Sequence, residues 1–219
     1  KYRKAIYAFD WSFGIIYAIH LEADGSSYKA KGEEFISGSP LPLTDGVIGP
    51  DGALYFMTGG RRLESDLYRV YYGDNTLEVK NEAPAPLTEE QKIRRHLETF
   101  HGDPKPDAVA TAWPYLKHSD RFIRYAARVV LEHQPAAQWQ DKVFKETDPE
   151  TMIQAAVALA RTGSPVVKDR IINALTTIDY KKLSASQQID LLRAVELVLL
   201  RMGMPDAVTK AKLGEYLDA

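Results

Sequence analysis

The stretch Leu43–Tyr72, LTDGVIGPDGALYFMTGGRRLESDLYRVYY, decides what kind of fold the first part of the chain can have. It reads as three short strands. The first ends at Pro50–Gly52, a turn signal in which Pro presets its φ and Gly accepts a positive φ. The runs ALYFMT and LYRVYY flank the loop Gly59–Arg62 and are rich in the aromatic and aliphatic residues that suit a half-buried strand. The stretch therefore predicts an antiparallel meander.

The residues before this stretch have the same character. AIYAFDW and GIIYAIHL are strand-like runs joined by a tight connection at Trp11–Gly14, and a turn at Asp24-Gly25 leads into the more polar run SYKAKGEEFISG. About seven strands therefore precede residue 80, which would make roughly two β-propeller blades of four strands. Two blades cannot close a ring, and open strand edges are a liability. We expect residues 1–80 to be a fragment of a larger propeller, with a sheet capped by helices as the alternative.

The second part of the chain reads as helical after a linker at 81–87, NEAPAPL, whose alternating Pro and Ala favour an extended spacer. Helix start signals then become frequent. Thr88 with Gln91 and Ser184 with Gln187 match the capping box, in which two backbone N–H groups are satisfied reciprocally. Residues with a helical period occupy about 88–101, 106–117, 119–133, 135–146, 149–162, 165–177, 185–202 and 205–217.

Short links between these helices, in pairs of about 30–40 residues, predict an α-solenoid of HEAT-like helix pairs over 88–219. The helix that starts at Ala185 is the most apolar, so we expect it to be the most buried. Trp113 and Trp139 lie beside apolar residues and are expected in the core. The predicted fold class is α+β, an N-terminal antiparallel β-meander of partial propeller blades followed by this solenoid.

Composition narrows the possible functions. The 219 residues carry a net charge of −2, which gives no basic excess for nucleic acid binding. No apolar run approaches the roughly 18 residues that span a bilayer, so no membrane insertion is expected. The absence of cysteine excludes disulfides, Cys-ligated zinc and covalent haem attachment. Because Lys1 is not an initiator Met, we expect a processed or truncated chain.

Both parts of the chain resemble one family. TDGVIGPDGALYFMTGGRRLESDLYRVYYG resembles the last blade of large bacterial membrane-bound dehydrogenase-like proteins, which join a glucose/sorbosone-dehydrogenase-type β-propeller to HEAT-like repeats and often to a cytochrome c domain. HLETFHGDPKPDAVATAWPYLKHSDRFIRYAARVVLEHQPAAQWQ is similar to the helical segment that follows that propeller. The resemblance covers essentially the whole chain and implies a periplasmic or extracellular location.

The resemblance brings few functional residues with it. The family's catalytic His lies in earlier blades, and the arginines that bind pyrroloquinoline quinone precede the Asp that opens this blade. Here Pro42, Leu43 and Thr44 precede Asp45, so those arginines are not matched. We therefore expect no catalytic residue and no cofactor in this chain, and pyrroloquinoline quinone only in a full-length parent protein.

Arg61 and Arg62 are the candidate cofactor-binding residues. Between two strands and after two glycines, they would face a propeller channel and bind an anion or a quinone carboxylate. The alternative, which we favour, is an exposed hairpin loop with one Arg paired to Glu64 or Asp66, since surface ion pairs are common and weak.

No metal site is expected. His96 and His101 are five residues apart on one helix, whereas two ligands on one helix face need a separation of three or four. The aspartates of the β-rich part lie at turns and lack the spacing of an EF-hand. The stripe Arg121, Arg124 and Arg128 is predicted to be a salt-bridged helix face, with Arg128 spaced to pair with Glu132, although a partner could use it.

These patterns leave two functional interpretations. The leading one is a non-catalytic protein-interaction or domain-packing scaffold, whose partner is another protein or the rest of a propeller. The alternative is the C-terminal portion of a quinoprotein-like sugar or alcohol dehydrogenase whose active site lies in residues not present here. Carbohydrate binding by Trp11, Tyr71 and Tyr72 has no feature that favours it. The oligomeric state is left open by the sequence.

Overall fold

The computed structural model describes residues 2–60, 62–73, 83 and 85–218. Within them the protein is a mixed α+β structure with two three-stranded antiparallel sheets and eight α-helices. The chain divides into two compact units, which we call the N-terminal unit, Lys1–Leu87, and the helical unit, Thr88–Ala219.

Each sheet is an up-and-down meander of consecutive strands. The first contains β1 Ile6–Asp10, β2 Ile15–Asp24 and β3 Ser27–Ser37, and the second contains β4 Leu43–Ile48, β5 Leu54–Thr58 and β6 Leu67–Val70. The described residues thus hold six strands where about seven were expected before residue 80, and residues 74–80 lie outside the described part. The meander predicted from Leu43–Tyr72 is confirmed.

The turn between β1 and β2 shows how the sequence sets a connection. The Asp10 carboxylate accepts hydrogen bonds from the backbone N–H groups of Ser12 and Phe13. Gly14 closes the turn with a φ of +65°, and a Cβ there would lie 2.5 Å from the carbonyl oxygen of Gly38. Glycine is required at this position for both reasons.

A small apolar core joins the two sheets of the N-terminal unit. Ile16 of β2 is buried with Leu43, Leu54 and Phe56 of the second sheet. The Phe9 ring of β1 lies against Gly46 of β4, where a Cβ would come within 2.4 Å of the ring. Because Gly46 has no side chain, the Phe9 ring can occupy this space and β1 can contact β4.

The helical unit contains an α-helix in each predicted range, but the ranges 106–117 and 135–146 are only partly α-helical and also hold 3-10 turns. The α-helices are α1 Glu89–Glu98, α2 Ala108–Ala112, α3 Arg121–Glu132, α4 Gln140–Val143, α5 Pro149–Thr162, α6 Lys168–Leu175, α7 Ala185–Met202 and α8 Ala207–Asp218. Both predicted capping boxes are present, at Thr88 before α1 and at Ser184 before α7. Asp148 caps α5 by accepting a hydrogen bond from the backbone N–H of Thr151.

The most buried helix is α5, so the expectation that the helix from Ala185 would be the most buried is wrong. Every residue from Thr151 to Ala160 is buried, because α5 packs against α3, α6 and α7. By contrast α7 exposes Ile189, Leu192 and Leu200. Apolar content alone misled the prediction, since burial depends on how many sides of a helix have neighbours.

Both tryptophans of the helical unit lie in the core, as predicted. The Trp139 indole N–H donates to the carbonyl oxygen of Gln134, and the Trp113 indole N–H donates to Glu146 Oε2 at 2.8 Å. Burial alone would raise the pKa of Glu146. Hydrogen bonds from the Asp148 N–H, the Trp113 indole and the Thr147 N–H outweigh that effect and lower this pKa below its ordinary value.

Truncation of Ile153 tests the central place of α5. We expect Ile153→Ala to lower the free energy of unfolding by about 2–4 kcal/mol, because it leaves a cavity in a fully buried site. The same change at Ile189, whose exposed fraction is 66%, should cost less than about 0.5 kcal/mol. Urea unfolding followed by circular dichroism measures both, and equal losses would contradict the packing described.

Removal of the Glu146 charge tests how much the carboxylate that accepts the Trp113 hydrogen bond contributes to stability. Because the folded pKa of Glu146 is lowered, its stabilisation is present above the unfolded pKa and is lost as pH falls through the folded pKa. We expect Glu146→Gln to lower the unfolding free energy by about 1–2 kcal/mol at neutral pH and to approach the wild type in acid. Glu215→Gln, an exposed control in α8, should stay within about 0.5 kcal/mol at every pH.

Candidate functional site

Polar side chains from α3 and α5 meet where these two helices pack together. Arg124, Arg128 and Glu132 follow one another at intervals of four residues on α3, so they lie on one face of that helix. The side chains opposite them on α5 are Glu150, Gln154 and Arg161. We call these six residues the α3–α5 seam.

The seam is a continuous chain of polar contacts. Arg124 Nε lies 3.2 Å from Glu150 Oε1, and Gln154 Nε2 donates to the same carboxylate oxygen. Arg128 Nη1 donates to Gln154 Oε1 at 3.3 Å. These contacts confirm the predicted ion pairing for Arg124 and Arg128, whereas Arg121, the third residue of the predicted stripe, forms no ion pair with any described residue.

Glu132 ends the seam and is shared by two guanidinium groups. Its Oε2 accepts from Arg161 Nε at 2.8 Å, and its Oε1 lies 3.4 Å from Arg128 Nε. The second contact is an ion pair without hydrogen-bond geometry, so both of its atoms are buried with no hydrogen bond among the described residues. One carboxylate therefore serves two cations, and Arg128 keeps unused donor capacity.

A cleft of about 190 Å³ opens beside the seam, between α3, α5 and α7. Each of these helices contributes one guanidinium to it, from Arg128, Arg161 and Arg193. The remaining lining residues are Ile153, Gln154, Val157, Asp190 and Leu197. The cleft therefore combines an apolar lining with converging cations.

Asp190 is the acidic group of this cleft, and it has no hydrogen bond or ion pair with any described residue. Its pKa is raised, first by burial and then by the nearby negative charge of Glu150, while Arg124 and Arg128 act in the opposite direction. Protonation of Asp190 would leave the three arginines as the charged lining residues. Asp190 thus limits how strongly the cleft attracts an anion.

The predicted cofactor-binding residues fall elsewhere. Arg61 lies outside the described residues. Arg62 is exposed in the turn between β5 and β6, with a φ of +69°. Within the described part of the N-terminal unit, the Arg62 side chain forms no ion pair with Glu64 or Asp66.

The best-connected polar cluster of the N-terminal unit is Asp51, Tyr55 and Arg69. Arg69 Nε and Nη2 both donate to Asp51 Oδ2, and the Tyr55 hydroxyl donates to the same oxygen at 2.9 Å. The hydrogen bond from Arg69 lowers the pKa of Asp51, with Tyr55 as the second cause. The cluster is exposed, and its three side chains pair with one another. It therefore links β6 to the turn that precedes β5, and none of its charged groups is left unpaired to act in catalysis.

The histidines of the helical unit have structural partners. His101 Nε2 donates to the carbonyl oxygen of Ala126 at 3.0 Å, and its ring stacks on His133. The His96 ring meets Phe100 edge to face. Across the described residues, no group of three or more potential ligand side chains is placed to hold a metal ion.

A second, wider cleft of about 700 Å³ lies between α8 and the segment that precedes α7. It is lined by Ile178, Asp179, Tyr180, Lys181, Gln188, Leu192, Tyr216 and Leu217. The Tyr216 hydroxyl donates to the carbonyl oxygen of Ile178 and is therefore already satisfied. This cleft has fewer converging charged groups than the first.

Sequence reasoning found part of the first cleft. Arg128 belongs to the predicted arginine stripe, but Arg161, Asp190 and Arg193 were not singled out. Arg161 is the basic residue in the last turn of α5, which is a usable signal. Asp190 and Arg193 gave no signal of their own, because they approach the arginines of α3 and α5 only when α7 packs on α5.

Comparison with known proteins gave no relative: no family model, no curated protein and no solved structure matches the chain. No helix among the described residues combines the length and apolar character needed to cross a bilayer.

Replacement of Asp190 tests the charge balance of the cleft. Because the folded pKa of Asp190 is raised, its protonated form is favoured in the folded state. The resulting stabilisation is complete below the unfolded pKa and is lost as pH rises through the folded pKa. We therefore expect Asp190→Asn to be more stable than the wild type at neutral pH, with the difference disappearing in acid.

Thermal unfolding measured from acid to neutral pH follows this difference. Asp103→Asn, at an exposed position of the same unit, is the matched control and should follow the wild type throughout. A neutral-pH stability of Asp190→Asn equal to or below that of the wild type would refute the burial and repulsion described.

Proposed function

We propose that the chain is a non-catalytic protein-binding scaffold whose helical unit holds an acidic segment of a partner protein in the cleft between α3, α5 and α7. The observation that carries this proposal is the convergence of Arg128, Arg161 and Arg193, one from each helix, on an apolar lining. Three separate helices fix the spacing of the three cations, which is how a rigid scaffold gains specificity.

Guanidinium chemistry supports an acidic ligand. Arginine presents its N–H donors in a planar fork that matches a carboxylate, and it loses less order than lysine on binding one. Arg128 and Arg161 share the single carboxylate of Glu132, so a ligand carboxylate would supply the acceptor that they lack. Leu197, the partly exposed apolar residue of the lining, suits a neighbouring apolar side chain of the ligand.

The size of the cleft supports a side chain over a cofactor. At about 190 Å³ it is smaller than the roughly 300–1,000 Å³ of typical small-molecule sites. Its lining contains Arg, Asp, Gln and apolar residues, and these described positions include no Ser, Thr, Cys, His or Lys to act as a nucleophile beside a base. Binding is the function that such a lining supports.

A HEAT-like solenoid is the architecture that we propose for the helical unit. In support, α1 contacts α3, α3 contacts α5 and α5 contacts α7, while α6 contacts both α7 and α8. Contacts that pass mainly between neighbours along the chain are typical of helical repeats. For the N-terminal unit, the two three-stranded meanders are compatible with incomplete propeller blades.

The assignment to a bacterial dehydrogenase-like parent stays a proposal that rests on the resemblance. The same holds for a periplasmic or extracellular location, for pyrroloquinoline quinone in a full-length parent, and for the rest of a propeller as the partner. The alternative function, the C-terminal portion of a quinoprotein-like dehydrogenase, has the same support. We rank it second because the arginine cleft needs no missing residues to bind a ligand.

A labelled peptide rich in Glu with interspersed Leu tests the proposed binding. Fluorescence anisotropy with the full chain should show binding that weakens with salt, and the corresponding Lys–Leu peptide should bind far less. We expect Arg161→Gln to weaken binding about tenfold, the effect of roughly 1.4 kcal/mol. Asp190→Asn should strengthen it by about two- to fivefold, because a like charge leaves the site.

Arg170→Gln is the matched control, since Arg170 is an exposed arginine of α6 that pairs with Asp141 outside the cleft. It removes the same charge and should leave the affinity unchanged. If Arg161→Gln and Arg170→Gln weakened peptide binding equally, the binding would be explained by general charge attraction. The cleft would then be rejected as the binding site.

A further inference from the structure

The solvent face of α7 carries an unusual arrangement of side chains. Ile189, Arg193, Glu196 and Leu200 lie on one stripe of the helix, because they are separated by four, three and four residues. We call them the α7 outer stripe. The exposed fractions of Ile189 and Leu200 are 66% and 70%, so two large aliphatic side chains end a stripe whose middle is charged.

The stripe lies opposite the buried face of α7. The core residues of this helix are Leu191, Ala194, Val195, Val198 and Met202. Within the chain, Arg193 and Glu196 form an exposed ion pair with each other. Among the described residues nothing covers the aliphatic ends of the stripe, so its apolar side chains face water.

The order of the stripe is apolar, positive, negative, apolar, and this order complements itself when a second copy runs antiparallel. A two-fold axis between the levels of Ala194 and Val195 would place Ile189 opposite Leu200 of the second copy. The same rotation would place Arg193 opposite Glu196 of the second copy. Each of these contacts would occur twice, as symmetry requires of an isologous interface.

We infer that the α7 outer stripe joins two copies of this chain in an antiparallel homodimer. The charge pattern selects the orientation. In a parallel pair Arg193 would face Arg193 and Glu196 would face Glu196, and like charges placed together in an interface are strongly unfavourable. In the antiparallel pair both charges are matched, and the exposed aliphatic ends are covered by one another.

The expected dimer is weak and reversible. With its 18 residues, α7 is about 27 Å long, so one helix pair forms a contact at the small end of specific interfaces. Two apolar contacts and two ion pairs at the surface support association at high concentration only. The dimer is therefore expected to dissociate on dilution.

Two charge reversals in the full chain test the inference. Sedimentation velocity of the wild type, from micromolar to near-millimolar concentration, should show a monomer that converts to a dimer. Arg193→Glu and Glu196→Arg should each weaken dimerisation by about tenfold or more, because every antiparallel contact then becomes a like-charge pair. The double variant R193E/E196R should dimerise like the wild type.

A mixture of the two single variants tests whether charge complementarity drives the association. Each copy of Arg193→Glu has two acids on the stripe and each copy of Glu196→Arg has two arginines, so the mixture should form a heterodimer. That pairing is favourable in either orientation, so it tests the charge contact itself, whereas the single charge reversals and the cysteine variants test the antiparallel register. Single-cysteine variants extend the test because the chain has no native cysteine: Ile189→Cys mixed with Leu200→Cys should give a mixed disulfide in preference to either homodimer.

Ile189→Lys should also weaken the dimer, whereas Val47→Lys, at a position with a similar exposed fraction of 65% in the other unit, should not. A wild-type chain that stays monomeric throughout the concentration range would overturn the inference. A dimer that is indifferent to both charge reversals would overturn it as well. Ile189 and Leu200 do not line the arginine cleft, so the disulfide result with the cysteine variants is independent of the acidic-peptide proposal.

Discussion

The helical unit depends on the burial of α5 between its neighbours. Ala155, Ala156, Ala158 and Ala160 are all buried, and their small side chains give α5 little width. Close packing of α3 and α7 against this narrow helix follows, because the distance between two packed helices is set by the side chains at their contact. The same packing brings guanidinium groups from three helices to one cleft. The cleft of the proposed binding site is thus a product of how the core is packed.

The α3–α5 seam shows what this closeness requires of polar groups. Burying charged groups is unfavourable unless they are paired, so arginines on α3 must find acceptors on α5. Glu150 and Glu132 supply them at the two ends, and Gln154 bridges the middle. At Glu132 one carboxylate is shared by Arg128 and Arg161, next to the proposed binding site. The residues that pair across the seam are therefore the same ones that the proposed recognition would use.

Local signals in the sequence predicted local structure well. The capping boxes at Thr88 and Ser184 are complete within four residues, so the beginnings of α1 and α7 could be placed without knowing the fold. The cleft could not be placed in this way, because Arg161 and Asp190 meet only through the packing of α5 on α7. The burial of α7 was overestimated for the same reason. The sequence does not show which sides of a helix have packing neighbours, and Ile189 and Leu200 lie on a side that has none among the described residues.

The hydrogen bond between Trp113 and Glu146 has an optical consequence. The indole N–H groups of Trp11 and Trp139 donate to backbone carbonyls, which do not titrate, whereas that of Trp113 donates to a carboxylate. The same carboxylate accepts the backbone N–H of Asp148, the residue that caps α5. The environment of Trp113 therefore depends on whether Glu146, just before α5, carries a proton. Trp113 is therefore a native fluorophore whose emission we expect to change when Glu146 is protonated, at the residue pair that leads into the first turn of α5.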